Sequence, residues 1–242
     1  QSAGKKRNLE INKNLQKYKV QIKTIPDIDR VVSGEFTVNE IQKVDIADLL
    51  GREEVNAIEK LLTKNIYQKT VFVTGAGGSI GSEMCRQIAK LKPNLLILYE
   101  RNEFALYQID SELKEQFPEL KIIPYLGSVT ITERLEEVFT KYQINTIYHA
   151  AAYKHVPLIE SNIVEGIYNN VVGTLNCVQI AEKFGVETFV LISTDKAVRP
   201  TNVMGTTKRI AELILQAQAS KKNIKTHYVM VRFGNVLDSA GS

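Results

Sequence analysis

The sequence predicts an α/β chain built on a doubly wound parallel sheet, with a small N-terminal α/β extension ahead of it. Three observations carry that expectation. From residue 69 onward, strand-like runs alternate with helical stretches. The runs are apolar almost throughout rather than every second residue, as in strands buried on both faces. The first run also passes straight into a glycine-rich turn that opens a helix. Right-handed β-α-β connections between such strands wind helices onto both faces of one sheet.

The elements follow in order. Residues 1–20 are polar and lysine-rich and read as frayed or loosely helical. KVQIKTI (19–25) alternates apolar and polar residues and reads as a strand, stopped by Pro26-Asp27. A short apolar segment lies near 36–44. Asp45 is a candidate cap for a turn of helix carrying Ile46, Leu49 and Leu50, with Gly51 ending it. Val55, Ile58, Leu61 and Leu62 then mark an amphipathic helix. This first segment, 1–66, is too small for a rich core and reads as the remnant of an upstream domain and linker. In the second part, 67–242, the strands are TVFVT (70–74), NLLILYE (94–100), KIIPYL (121–126), NTIYHA (145–150), TFVLIS (188–193) and THYVMVRF (226–233). Helices are expected at about 79–92, 103–116, 131–142, 161–184 and 203–222.

Composition narrows the function classes. The chain has 242 residues, 44% hydrophobic and 24% charged, with a formal net charge of +4. That charge is weak and scattered, and its lysines lack interleaved aromatics, which argues against nucleic acid. Cys85 and Cys177 both fall in expected helices, so reduced thiols fit better than a disulfide framework. His149, His155 and His227 show no metal-ligand spacing, and no metal is expected. No apolar stretch approaches the roughly 18–20 residues that span a bilayer. The sequence starts at Gln1 and stops at Ser242 just after a motif-like run, so it reads as a soluble cytosolic piece of a longer parent.

Gly75, Gly78 and Gly81 sit in the strand–turn–helix context that a dinucleotide site requires. The first glycine allows the tight turn, the second lets backbone approach a pyrophosphate, and the third permits close helix–strand packing. The helix N-terminus favours the negative charge. Glu100 ends the second strand, where an acidic residue accepts hydrogen bonds from an adenosine ribose and favours NAD. Its plainer reading is a solvated strand end. Arg101 beside it could pair with a 2′-phosphate, which keeps NADP open.

The motifs STDKAVRPTNVMGTTKRIAE (193–212), TGAGGSIGSE (74–83), HAAAYKHVPLIE (149–160), NNVVGT (169–174) and RFGNVLDSAGS (232–242) occur together. With them the chain resembles the extended short-chain dehydrogenase/reductases, and among these the UDP-N-acetylglucosamine 4,6-dehydratases of bacterial polysaccharide and glycan biosynthesis. The resemblance covers about 69–242. Residues 25–52 also resemble the segment that precedes the catalytic domain in long, membrane-anchored members. It implies a Rossmann domain binding NAD, a parent at the cytoplasmic face of the bacterial inner membrane, and a homo-oligomer formed through the helices at 161–184 and 203–222. The family's substrate-binding portion is expected after Ser242, so the isolated piece is expected to turn over sugar nucleotide poorly.

The resemblance also implies roles. Thr194, Asp195 and Lys196 match the family's catalytic trio. Lys208 matches the lysine that holds the nicotinamide ribose, and Asn170 the asparagine that orders its surroundings. Ser79, Ile80, Ala150 and Ala151 fall on the cofactor side. Lys154, His155, Glu160 and Asn235 fall beside the substrate. One position departs: the tyrosine expected four residues before Lys208 is Met204. A thioether neither gives nor takes a catalytic proton. Some long dehydratases that retain configuration at carbon 5 share the methionine, so it places the chain with that subgroup.

The implied reaction oxidises carbon 4 to make the carbon 5 proton removable, expels water from carbon 6, and returns the hydride there. Lys196, if neutral, would be the base at carbon 5 and Asp195, if protonated, the acid. Both need pKa shifts that burial and neighbours can supply. Thr194 or a water is left to take the carbon 4 hydroxyl proton. The plainer readings are a capping and surface pair at Asp195–Lys196, a solvated helix lysine at Lys208, and packing at Met204. The functional alternatives are a nucleotide-sugar epimerase, which needs no leaving-group acid, and a non-catalytic dinucleotide-binding module.

Overall fold

A computed structural model describes residues 23–24, 42–43 and 58–236. The chain divides into two compact units, Gln1–Ala57 and Ile58–Ser242. In the first, β1 (Lys23–Thr24) pairs antiparallel with β2 (Gln42–Lys43). Both fall inside the expected strand and apolar segment. The expected features at 1–20 and 45–55 lie outside the described residues.

The second unit carries a six-stranded sheet in the order β5-β4-β3-β6-β7-β8. Its strands are β3 (Thr70–Thr74), β4 (Leu95–Glu100), β5 (Ile122–Leu126), β6 (Thr146–His149), β7 (Thr188–Thr194) and β8 (His227–Phe233). Every neighbouring pair is parallel. The chain steps outward from β3 to β5, then returns to the other side of β3 with β6. The strand order therefore reverses between β3 and β6, and the crevice outside their C-terminal ends is where open α/β sheets bind ligands.

The core explains the apolar runs. All residues of β3 and β4 are buried. Successive side chains point to opposite faces. Val71, Val73, Leu96 and Leu98 join Cys85 and Leu113 on one face, while Phe72 and Ile97 join Ile147, Phe189, Val178 and Leu215 on the other. The covering helices are α2 (Ser79–Lys90), α3 (Glu103–Gln116), α4 (Thr132–Lys141), α5 (Val156–Ser161), α6 (Ile163–Ile167), α7 (Gly173–Lys183) and α8 (Val203–Ala219). Cys85 and Cys177 are buried free thiols, and burial pushes both pKa values up.

Three expectations are corrected. The helix expected at 161–184 is not uniform, because a π-helical turn at Tyr168–Val172 joins α6 to α7. The amphipathic helix near 55–62 is the short α1 (Glu59–Thr63), whose Leu61 is 64% exposed instead of packed. The runs 121–126 and 226–233 were expected to be buried on both faces, but β5 and β8 lie at the sheet edges and leave Leu126, Val231 and Phe233 exposed. Among the described residues, no helix is long and apolar enough to cross a membrane.

Candidate functional site

The glycine turn forms the floor of a cleft of about 420 Å³ at the C-terminal ends of β3, β4 and β6. Gly75 has φ +65°, and its backbone N–H donates to the Tyr99 carbonyl at 2.9 Å. A Cβ on Gly75 would stand 2.7 Å from the Ala151 backbone, and one on Gly81 would stand 1.9 Å from the Gly75 carbonyl oxygen. Those two positions let the turn and α2 pack directly on each other. Gly78 differs: a Cβ there would meet only the Gly75 carbonyl oxygen, at 3.3 Å. Its exposed side belongs to the cleft, beside the start of α2 at Ser79 and Ile80.

Glu100 is buried rather than a solvated strand end. One carboxylate oxygen accepts from the N–H groups of Arg101 (2.8 Å) and Asn102 (2.9 Å), and the other from Gly77 N–H (3.1 Å). The acidic residue thus braces the glycine turn as well as lining the cleft. A carboxylate has about four acceptor positions, so one stays free for a further donor. Arg101 turns across the cleft mouth: its guanidinium donates to the Tyr153 hydroxyl and lies 5.0 Å from that ring's centroid. Ala150 N–H donates to the Thr74 carbonyl at 3.1 Å, which ties the opposite wall to β3.

The π turn buries Asn169 and Asn170 together. Asn170 accepts from Tyr153 N–H at 2.8 Å, and its amide donates to the Tyr153 carbonyl and the Thr207 hydroxyl, each at 3.0 Å. Thr207 precedes Lys208 on α8. Lys208 is buried, not a solvated helix lysine. Burial lowers its pKa to about 8, while the carboxylate of Glu212 one turn on pulls it back up.

Thr194, Asp195 and Lys196 leave the C-terminal end of β7 as one tight turn. The Thr194 hydroxyl donates to Asp195 Oδ1 at 2.9 Å, and Lys196 Nζ donates to the same oxygen at 3.3 Å. Lys196 Nζ also donates to Asn235 Oδ1 at 3.2 Å. The pair is accessible, with side chains 54% exposed for Asp195 and 37% for Lys196. The burial expected to raise the Asp195 pKa is therefore absent. The Thr194 hydroxyl and the Lys196 ammonium hold Asp195 below the usual carboxylate range. The start of α8 packs on this turn, for a Cβ on Gly205 would stand 2.5 Å from the Lys196 carbonyl oxygen. Met204 is buried there, as packing.

Glu212, the last residue of the 193–212 motif but given no role from it, lies beneath the trio. Its buried carboxylate accepts from Ser193 Oγ at 2.7 Å, from Arg232 at 2.8 and 2.7 Å, and from Arg209 at 3.0 Å. Burial pushes its pKa up, but hydrogen bonds from Arg232, Ser193 and Arg209 outweigh that and hold it at about 2. It pins the ends of β7 and β8 to α8. Of the remaining motif residues, Glu160 accepts from Val203 N–H at 2.7 Å and so caps α8. Lys154 and His155 are exposed on the segment leading into α5. Among the described residues, no group of three or more His, Cys, Asp or Glu side chains is placed to hold a metal.

Residues 71–242 match the family described as polysaccharide biosynthesis protein. The capsular polysaccharide biosynthesis protein CapD of Staphylococcus aureus is 46% identical over 238 residues, which is 98% of this chain and 40% of CapD. An inverting UDP-N-acetylglucosamine 4,6-dehydratase of Campylobacter jejuni is 33% identical, over 72% of this chain and 51% of the relative. A UDP-glucose 4-epimerase of Rickettsia canadensis is also 33% identical, with the same two coverages of 72% and 51%. The chain spans about half or less of the length of these relatives. It belongs to the polysaccharide biosynthesis protein family, which is related to nucleotide-sugar dehydratases and epimerases.

Proposed function

We propose that the chain carries the cofactor site and much of the catalytic machinery of a nucleotide-sugar 4,6-dehydratase acting on UDP-N-acetylglucosamine with NAD. The observation that carries this reading is the accessible Thr194–Asp195–Lys196 turn, in which a lysine already donates to a carboxylate. It supplies adjacent proton-accepting and proton-donating groups at the sheet's C-terminal edge. The cleft fits a dinucleotide. Gly78 leaves open the space that any Cβ would fill, the α2 N-terminus faces it, and Glu100 keeps an acceptor position. When bound, the nicotinamide supplies reversible oxidation at carbon 4 and reduction at carbon 6. Ser79, Ile80 and Ala150 would contact the dinucleotide, Glu100 the adenosine ribose, and Lys208 the nicotinamide ribose.

The proton count of the trio suits the reaction. An Asp195 carboxylate with a Lys196 ammonium holds the same number of protons as an Asp195 acid with a neutral Lys196 amine. Covering the pair with substrate removes water and favours the neutral pair. One proton shift along the existing Lys196–Asp195 hydrogen bond then produces a base for carbon 5 and an acid for the carbon 6 hydroxyl. Asn235 holds Lys196 in place through its side-chain oxygen. Met204 takes no proton, so the carbon 4 hydroxyl proton passes to a water, directly or relayed through the Thr194 hydroxyl.

An epimerase is the second reading, favoured by the equal 33% identity to the Rickettsia protein. It needs no acid for a leaving group, so it leaves the Asp195–Lys196 pair without a task. We also read the chain as part of a longer membrane-anchored protein on the cytoplasmic face, on the resemblance of 25–52. Self-association through α5–α8 has support in the exposed Leu158, Val164, Ile167, Tyr168, Ile210 and Leu213. The test is to incubate the full-length parent with UDP-N-acetylglucosamine and follow the product by NMR. A 4-keto-6-deoxy sugar is expected. A carbon 4 epimer with carbon 6 still hydroxylated would replace this reading with the epimerase.

A further inference from the structure

His149 ends β6 fully buried, and both ring nitrogens are engaged. Nδ1 lies 2.7 Å from Thr74 Oγ1, and Nε2 lies 3.0 Å from Thr174 Oγ1. Donor and acceptor bookkeeping fixes the direction of both bonds. The Thr174 hydroxyl donates to the Asn170 carbonyl at 2.6 Å, and a carbonyl can only accept. The Thr174 proton is therefore committed, and Nε2–H must be the donor to Thr174. A neutral imidazole carries one N–H, so Nδ1 accepts from the Thr74 hydroxyl. Thr74 Oγ1 in turn accepts from Ala151 N–H at 3.3 Å. Burial, with the nearby Lys208 ammonium, lowers the ring's pKa to about 3 and keeps it neutral.

The result is one directional chain from Ala151 through Thr74, His149 and Thr174 to Asn170. At one end, the Ala151 backbone underlies Gly75 at the distance only a glycine permits. At the other, Asn170 grips Thr207, the residue before Lys208. We infer that His149 is a positioning residue which, as the neutral Nε2–H tautomer, ties the glycine turn to the Asn170 turn and, through Thr207, sets Lys208, the residue proposed above to hold the nicotinamide ribose. This rests on the reading of that cleft as a dinucleotide site.

Breaking the chain on its Asn170 side should loosen the Lys208 end and leave the glycine turn intact. ADP lacks the nicotinamide ribose, so it reports on the turn alone, whereas NAD reports on both ends. For Thr174→Val, the NAD dissociation constant measured by calorimetry on the full chain should rise about tenfold, the scale of one charged hydrogen bond lost when Lys208 leaves its place. The ADP constant should change less than about twofold, and Thr174→Ser, which restores the hydroxyl, should behave like wild type. Equal weakening of NAD and ADP, or a Thr174→Ser as weak as Thr174→Val, overturns the proposal. If Thr174→Val does not fold, ¹⁵N NMR of the wild-type ring still decides: an Nε2–H tautomer supports the proposal and an Nδ1–H tautomer overturns it. Wild-type protein that binds neither nucleotide sinks the cofactor reading and this proposal with it. Wild-type protein that binds NAD normally, with no selective loss in Thr174→Val, sinks this proposal alone.

Discussion

On its proposed role at the nicotinamide ribose, Lys208 trades stability for affinity, and Lys208→Met should separate the two. Burial lowers its pKa from 10.5 to about 8. The difference is 10.5 − 8, or 2.5 units. At about 1.36 kcal/mol per unit, the buried ammonium destabilises the fold by ~3 kcal/mol at neutral pH. Methionine keeps a similar unbranched shape and removes the charge. Glu212 loses a distant favourable charge but keeps Arg209 and Arg232, which trims the gain only in part. The thermal midpoint at pH 7 should therefore rise, by up to about 6–10 °C for a domain of this size. The pH dependence is the sharper signature. Below pH 8 the lysine is protonated in both folded and unfolded chains, so the penalty is full. Between pH 8 and 10.5 the folded chain releases the proton first, wild-type stability rises, and the advantage of Lys208→Met shrinks. NAD affinity should meanwhile fall at least about tenfold, since one charged hydrogen-bond donor is gone. Melts at pH 7, 9 and 10, paired with NAD titrations, measure all three effects. A lower midpoint for Lys208→Met at pH 7, or a gain that does not change with pH, would refute the burial argument.

Gly78→Leu should abolish NAD binding with little loss of stability, because its Cβ meets only one protein atom, at 3.3 Å. Gly81→Ala should instead lower the thermal midpoint, since its Cβ would lie 1.9 Å from the Gly75 carbonyl oxygen. In the intact parent, Lys196→Ala should stop solvent deuterium entering carbon 5, whereas Asp195→Asn should keep exchange and lose water elimination. Met204→Ala should cost far less than either; a dead Met204→Ala beside an exchanging Lys196→Ala would remove Lys196 as the base. His149, with a folded pKa of about 3 against 6.5 unfolded, makes stability fall as pH drops below 6.5. The loss should reach ~2 kcal/mol by pH 5 in denaturant titrations, and a flat profile there would mean the ring is not neutral and buried.

The strands of the sheet were legible because each apolar run sits between turn residues, and in β3 and β4 two-sided burial leaves no polar alternation to confuse them. The glycine-rich turn was legible because Gly75, Gly78 and Gly81 follow a strand directly. The buried polar groups were not. Glu212 looks like any solvated helix glutamate, and its partners Ser193 and Arg232 lie 19 and 20 residues away. His149 reads as a lone histidine in a strand, with Thr74 75 residues before it and Thr174 25 after. The π turn gives no periodic signal, because exposed Val164 and Ile167 and buried Asn169 and Asn170 invert the usual hydrophobic pattern. The exposure of Asp195 was not legible because a motif carries identity but not solvent exposure.

The turn at Tyr168–Val172 amounts to a change of phase within one long helical path. Each residue advances an α-helix by about 100°, so one extra residue in a π turn rotates everything downstream by that angle. Upstream, Gly166 sits where a Cβ would come within 2.6 Å of Ile159. Downstream, Cys177, Val178 and Ala181 face the sheet. These two faces belong to different helical phases, and only the additional residue lets both stay on target. Asn170 is held to its type by its bonds to Tyr153 and Thr207, and the whole turn is held to its residue count. A single deletion would give a smoother helix and swing the core-facing stripe of α7 away from Phe189 and Leu191.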